Sequence, residues 1–387
     1  MIYLDNAATT WPKPRGTAAA IAEVLSFRGA NPGRGSYRMA ELSSETVYKC
    51  RCHATGFFGA SAPENVIFTP SCTHAINYAL KGVLGAGDHV VISDMEHNAV
   101  TRPVMQLARR GVQFSTAHVH ECDPEATVTE FRRKLRFNTK MIFCTHASNV
   151  FGTKLPIAEI GELAHRNSLL FGVDCAQSAG TAPLNLHDLQ ADFLCMPAHK
   201  GLYGIMGLGM LIINCDNKLS TVIEGGTGSL SGMNTQPDFL PDRLESGTLN
   251  VPAIAALDVG MSFIESIGRE RLEQHEMSLI GRAYDAIASL PECELYTARP
   301  DIGTHVPLLS FNIRGMASDE TAMLLGERNI AVRAGLHCAG EAHRAMGTES
   351  GGTVRICPSV FTSTEEIDSF ISALREISET RMREISS

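Results

Sequence analysis

Short apolar runs separated by amphipathic stretches set the rhythm of the first 250 residues. Runs rich in β-branched and large apolar residues fall at Val66–Thr69, His89–Ser93, 141–145, 169–173, 193–196 and Gly209–Ile213. They lack apolar–polar alternation, as do strands buried on both faces of a parallel sheet. Between them, stretches such as 157–166 repeat their apolar residues at helical intervals. Thr17–Phe27 does the same, with Ala20, Ile21, Val24 and Leu25 on one face, and a second helix is expected from Ala40 to Phe57. This alternation predicts an α/β/α layered domain with right-handed crossovers.

Past Asn250-Val251-Pro252 the rhythm changes. One long helix is expected over 252–290, then strands at 308–313, 331–334 and 353–356. Thr362 and Ser363, followed by Glu365 and Glu366, form a capping-box pattern that opens a last helix. Its apolar residues Ile367, Phe370, Ile371, Leu374 and Ile377 keep helical spacing. A boundary is therefore placed near residue 252, giving a large domain over 13–252 and a small α/β domain over 253–387 on which 1–12 packs.

Composition narrows the class of function. A chain of 387 residues with 44% hydrophobic and 19% charged residues fits a soluble globular protein. A formal charge of -9 argues against a nucleic-acid-binding surface. No run approaches the ~18–20 apolar residues that span a bilayer. Met1-Ile-Tyr-Leu-Asp-Asn6 has neither region of a secretory signal, so a cytoplasmic protein is expected, with neither membrane nor nucleic acid as partner. The eleven cysteines are scattered, with no CxxC pair, and are expected as free thiols. Cys50-Arg51-Cys52-His53 has no second ligand cluster at metal-site spacing, and no metal is assigned.

Chemistry gathers where the apolar runs end. After the first comes Thr69-Pro70-Ser71-Cys72-Thr73-His74, opening a helix: either a phosphate site made of free N–H groups or a plain cap. After the second comes His97, a ring that stacks on a flat heterocycle or simply a loop residue. Asn149 offers an amide after the third. Asp174 closes the fourth, where a buried carboxylate needs a cationic partner, and Gln177 follows. His199-Lys200 follows the fifth; a desolvated lysine amine can attack a carbonyl and form a Schiff base. Together these are the parts pyridoxal phosphate requires. In the last third, Cys338 lies in a glycine-flanked loop beside His337, either a reactive thiol or an inert loop cysteine. Arg355, inside an apolar strand, needs an anion, either a substrate carboxylate or an internal Asp or Glu.

Tyr3-Leu-Asp-Asn-Ala-Ala8-Thr9, Asn31-Pro-Gly-Arg34-Gly35, Glu96-His97-Asn98, Val173-Asp-Cys-Ala-Gln177, His199-Lys200, Gly225-Gly226-Thr227, Glu245-Ser-Gly-Thr248 and Arg333-x-Gly-x-His-Cys-Ala339 are similar to motifs of one family. The sequence resembles, almost end to end, the class V aminotransferases among the fold-type-I pyridoxal phosphate enzymes. Within them it resembles the cysteine desulfurases and selenocysteine lyases of group II, the SufS-like branch. The resemblance implies a large α/β/α domain with a mainly parallel seven-stranded sheet and a smaller C-terminal α/β domain. It implies pyridoxal 5'-phosphate as cofactor, with Lys200 as Schiff-base lysine, His97 on the ring, Asp174 at the ring nitrogen and Gln177 at the phenolic oxygen. Cys72, Thr73 and His199 would hold the phosphate, joined by Thr227 from a second subunit of a homodimer. Asn149, Arg355 and Ala8 would meet the substrate. Cys338 would take sulfur from L-cysteine, or selenium from L-selenocysteine, and a persulfide would pass to an acceptor protein or small thiol. The chain departs from the family at Pro197 and Cys72, each standing where a hydroxyl residue is common, and at Leu336 and Cys357-Pro358.

Overall fold

A computed structural model describes all residues except Arg34, 216–218 and Ser387, and no side chain beyond Arg381. Arg34 of the quoted Asn31–Gly35 motif thus lies outside the described residues. The centre is a seven-stranded sheet in the spatial order Val66–Thr69, Gly209–Ile213, Phe193–Pro197, Leu170–Asp174, Thr139–Thr145, His89–Ser93, Gln113–Ala117. Only Gly209–Ile213 runs against its neighbours. Strand periodicity of two divides the core into two layers. Val66, Phe68, Leu194, Met196, Met210 and Ile212 enter the cluster on one face. Their alternates Ile67, Phe193, Cys195, Leu211 and Ile213 enter the other. Both sets are apolar, and the runs therefore show no alternation in sequence.

All six expected strands in this part agree within two residues. Gln113–Ala117 was not expected; it is an edge strand whose residues are mostly exposed or half-buried, so it carries little apolar signal. Helices Cys72–Val83, Asn98–Ala108, Pro124–Lys134 and Ile157–Arg166 follow successive strands and return the chain to the same end of the sheet, from which the next strand starts. The polar turns between strand and helix therefore collect at the carboxyl ends of the parallel strands, where open α/β sheets bind ligands.

The single helix expected over 252–290 is in fact two, Val251–Ile267 and Arg269–Ala288, crossing at 83°. Gly268 ends the first at φ 90°, with its N–H on Ile264 O, a conformation that an L side chain resists. No single described helix is long and apolar enough to cross a membrane. The remaining chain forms an antiparallel sheet of Cys293–Leu295, Leu309–Ile313 and Val354–Ile356, covered by the 269–288 helix and by Thr364–Ser386. The capping box is present, Ser363 Oγ accepting from Glu366 N–H and Glu366 from Ser363 N–H. The strand expected at 331–334 is only Ile330–Ala331, which pairs in parallel with Ile2–Tyr3; Arg333 then bridges to Arg355. Leu4 is buried in the same core, tying the first residues to the last third of the chain.

Candidate active site

Lys200 lies three residues beyond Phe193–Pro197, in a turn that Tyr203 N–H closes onto Lys200 O at 2.8 Å. The turn sits against Gly180, whose φ is +92° and whose absent Cβ would overlap Gly201 O. Only glycine lets the two turns approach so closely. Burial, with Arg355 nearby, lowers the lysine's pKa, while Asp174, Cys72 and Cys357 oppose the shift. The shift favours the neutral, nucleophilic amine.

Around Lys200 a cleft of about 180 Å³ is walled by Cys72, Thr73, His97, Asn149, Asp174 and Gln177, with Pro197 and His199 alongside. Each stands at or just beyond the carboxyl end of a parallel strand, so the residues grouped by sequence reasoning do converge. Asp174 is buried, and its Oδ1 accepts from Ala176 N–H at 2.9 Å and from the Cys72 thiol at 3.6 Å. Burial raises its pKa against those donors and Lys200. His97 caps helix Asn98–Ala108, its Nδ1 accepting from Ala99 N–H at 2.9 Å, which leaves the proton on Nε2. Burial and then Lys200 hold it down to about 4, so the ring is neutral at physiological pH. His199 is likewise held at about 4 by burial, with Lys200 and Lys13 adding to it.

Ser71 caps the Cys72–Val83 helix by accepting from His74 N–H. As first-turn amides, those of Cys72 and Thr73 have no acceptor within their helix. The Cys72 side chain turns away from that terminus toward Asp174, so its thiol serves the carboxylate rather than the helix end. Gln177 donates to Ala7 O at 3.1 Å. Ala8 lies one residue further along that segment, its N–H on Asp5 O. Thr227 is not a wall of the cleft within this chain; it lines a separate recess with Arg51 and Glu245 and meets Ser229 Oγ at 3.1 Å.

The last third supplies the rest. Arg355 is buried; it donates to Asn149 O at 2.7 Å and to Asp5 Oδ1 at 2.9 Å, while its Nε has no partner. The internal acid left open by the sequence is therefore present, beside a free donor. Cys338 is exposed, and its carbonyl accepts from Asn98 N–H at 2.7 Å, one residue from His97. Asn149 Nδ2 holds His337 O at 2.8 Å, and the His337 ring holds Thr353 O at 2.9 Å. The loop needs such anchors, because Gly335, His337 and Cys338 all take positive φ.

Sequence reasoning passed over Asp5 as the partner of Arg355, Lys13 at the His199 carbonyl, and Glu96. Glu96 is fully buried and joins two strand ends, accepting from the Ser93 hydroxyl and from Thr145 N–H at 3.0 Å. Burial pushes it up to about 8. Its sequence signal was an acid next to His97 at a strand end. The His53 ring is taken by Asp258 and Glu265 at 2.7 and 3.1 Å. Among the described residues no cluster of three or more His, Cys, Asp or Glu could hold a metal.

The donor set suits a flat, anionic, carbonyl-bearing group. Besides the amides of Cys72 and Thr73, buried atoms without partners remain at His199 Nδ1 and Arg355 Nε, while Asn149 Oδ1 is a buried acceptor without a donor. Comparison with known proteins agrees. The family model for class-V aminotransferases matches residues 2–370. A probable cysteine desulfurase of Methanothermobacter thermautotrophicus is 32% identical, over 97% of this chain and 94% of its own. One from Vibrio cholerae is 31% identical, over 97% and 93%. The solved apo structure of a cysteine desulfurase from Thermococcus onnurineus NA1 superposes with a TM-score of 0.90 at 29% identity, covering 98% of this chain and 95% of the other. The chain belongs to the class V aminotransferase family.

Proposed function

Proceeding from that membership, we propose that this chain is a pyridoxal-phosphate-dependent cysteine desulfurase, taking sulfur from L-cysteine, releasing L-alanine and holding the sulfur as a persulfide on Cys338. The observation that carries this reading is the attachment of the exposed Cys338 loop to the lysine cleft. Its carbonyl bonds the residue after His97, and its neighbour bonds Asn149. A thiol is thereby kept beside a site able to activate an amino acid.

Pyridoxal phosphate supplies the carbonyl that takes the substrate amine and the electron sink that makes the Cα proton acidic. Cys72 and Thr73 amides with His199 would hold its phosphate, joined in a homodimer by Thr227 of the partner subunit. Asp174 would face its ring nitrogen, Gln177 its phenolic oxygen, and neutral His97 its ring. Pro197 offers no hydroxyl, so the phosphate leans on main-chain N–H groups. The Arg355 Nε and Asn149 fit the substrate carboxylate, with Ala8 close by on the segment that Gln177 holds. Lys200, its pKa lowered by burial, would accept the Cα proton. The Cys338 sulfur, giving up its thiol proton, then attacks the substrate sulfur: an S–S bond forms and the Cβ–S bond breaks, its electron pair going to Cβ. Cβ takes up a proton, Lys200 returns the other to Cα, and alanine leaves. The persulfide would pass to an acceptor protein or small thiol.

Mass spectrometry of Cys338 after exposure to L-cysteine tests this reading, with one added sulfur expected. Cys338→Ser should abolish alanine formation from L-cysteine under turnover. Sulfide release from Cys338→Ser at the wild-type rate would instead favour a selenocysteine-lyase-like or other C–S lyase reaction that needs no persulfide.

A further inference from the structure

The peptide bond joining His199 to Lys200 is held from an unexpected quarter. Its carbonyl oxygen accepts from Lys13 Nζ at 2.9 Å, Thr9 Oγ1 at 3.1 Å and Thr10 N–H at 3.1 Å. The Thr10 hydroxyl lies within reach of both the His199 and Lys200 carbonyls, at 3.2 and 3.1 Å. A carbonyl has two lone pairs, so this one is saturated by donors from a single short segment.

Lys13 is the costly member of the group. It is half-buried, its second contact is the neutral Thr10 Oγ1 at 2.7 Å, and it forms no ion pair among the described residues. An ammonium without a counter-ion loses hydration on burial, and its pKa falls accordingly to about 8. A lysine serving only solubility would point outward. This one is turned inward onto one carbonyl.

We propose that Lys13 is a positioning residue for Lys200, fixing the plane of the His199–Lys200 peptide through the His199 carbonyl. The proposal rests on reading Lys200 as the lysine that carries the cofactor. The peptide unit is planar, so anchoring its oxygen also fixes the Cα of Lys200 at the other corner. The following peptide is fixed as well, by Tyr203 N–H on Lys200 O and by the close contact of Gly201 with Gly180. The segment bearing Lys13 is itself tethered, by Asp5 to Arg355 and by Asn6 Nδ2 to Cys357 O at 2.9 Å. With both flanking peptides held, the Lys200 amine meets an incoming carbonyl without first having to be ordered.

The test uses the full chain freed of cofactor. Wild type, Lys13→Met and Lys13→Arg are titrated with pyridoxal phosphate, reduced with borohydride, and the Lys200-bearing peptide is quantified by mass spectrometry. Thermal midpoints of the same cofactor-free proteins are measured alongside. Lys13→Met should raise the half-saturating concentration about tenfold, the scale of one charged hydrogen bond. Lys13→Arg should remain within about twofold of wild type, and all three midpoints should agree within ~2 °C. Wild-type labelling in Lys13→Met would overturn the proposal, as would a labelling loss that tracks a fallen midpoint and is not rescued by arginine. A wild type that takes no label on Lys200 would overturn the assignment of Lys200 itself, and this proposal with it.

Discussion

Removing Glu245 should destabilise the wall that carries Cys72 and Thr73. Its carboxylate grips the Arg51 guanidinium with both oxygens, at 2.8 and 2.9 Å, and both side chains are buried. Oε1 also accepts from Phe68 N–H at 2.6 Å, Arg51 donates to Val66 O, and the guanidinium lies 4.7 Å from the centre of the Phe68 ring. The pair thus joins helix Arg38–Phe58, the Val66–Thr69 strand and the turn before Ser246. Glu245→Ala leaves a buried, uncompensated guanidinium, which costs about 3–5 kcal/mol. At ~2.1 cal/mol/K per residue, a 387-residue chain unfolds with an entropy of ~0.8 kcal/mol/K. The thermal midpoint should therefore fall by ~4–6 °C. The double variant Arg51→Met/Glu245→Leu removes both charges and should recover most of the loss, since apolar replacement of a buried pair is near neutral. Differential scanning calorimetry of the three proteins at pH 7 reads both effects. A midpoint for Glu245→Ala within ~1 °C of wild type, or a double variant worse than the single one, would refute the reasoning.

Three further outcomes are expected. Gly180→Ala forces a Cβ against Gly201 O at positive φ, so it should cost cofactor uptake at Lys200 more than about tenfold, measured by absorbance titration; unchanged uptake would show that the two turns can separate freely. Cys72→Ala removes one of the two donors to Asp174 Oδ1 and should weaken cofactor binding about fivefold, with Cys72→Ser restoring it; equal constants for all three would make the thiol contact inert. Glu276 accepts from the Tyr203 hydroxyl at 3.1 Å, and burial pushes it up to about 8 from 4.5. The folded chain therefore holds a proton that the unfolded chain releases above 4.5, so stability falls as pH rises from there to about 8, by about 1.4 kcal/mol per unit at most. Glu276→Gln keeps the acceptor but not the titration, and its midpoint should gain on wild type steadily between pH 5 and 8; parallel curves would contradict this.

Sequence and structure agree best where one residue reports one environment. Val66–Thr69 and Phe193–Pro197 are buried on both faces, and their apolar runs declare it locally. Lys200, Asp174 and His97 were legible for the same reason, each polar group closing such a run. The Gly268 break escaped because helical periodicity continues on both sides of it and no proline marks the turn. Lys13 and Asp5 escaped because their meaning lies at the far end of long-range bonds, to His199 and to Arg355, and neither sits at a strand end. The Cys72 substitution was noticed as the loss of a hydroxyl. Its use as a donor to Asp174 depends on a side-chain direction that no spacing rule supplies.

The tether from Asp5 to Arg355 spans 350 positions of sequence. During synthesis the two groups leave the ribosome at widely separated times, about half a minute apart at ~10 residues per second. The strands that carry Asp174 and Lys200 can form in that interval, but the strap over the Lys200 turn has nowhere to fasten. A nascent or truncated chain therefore presents a half-built lysine cleft, poorly ordered for a reactive aldehyde. Closing so long a loop is also slow, because its entropy is lost before any contact repays it. Completion of the cleft is thus a late event in biogenesis, since the Arg355 anchor and the Cys338 loop are among the last parts of the chain to be made.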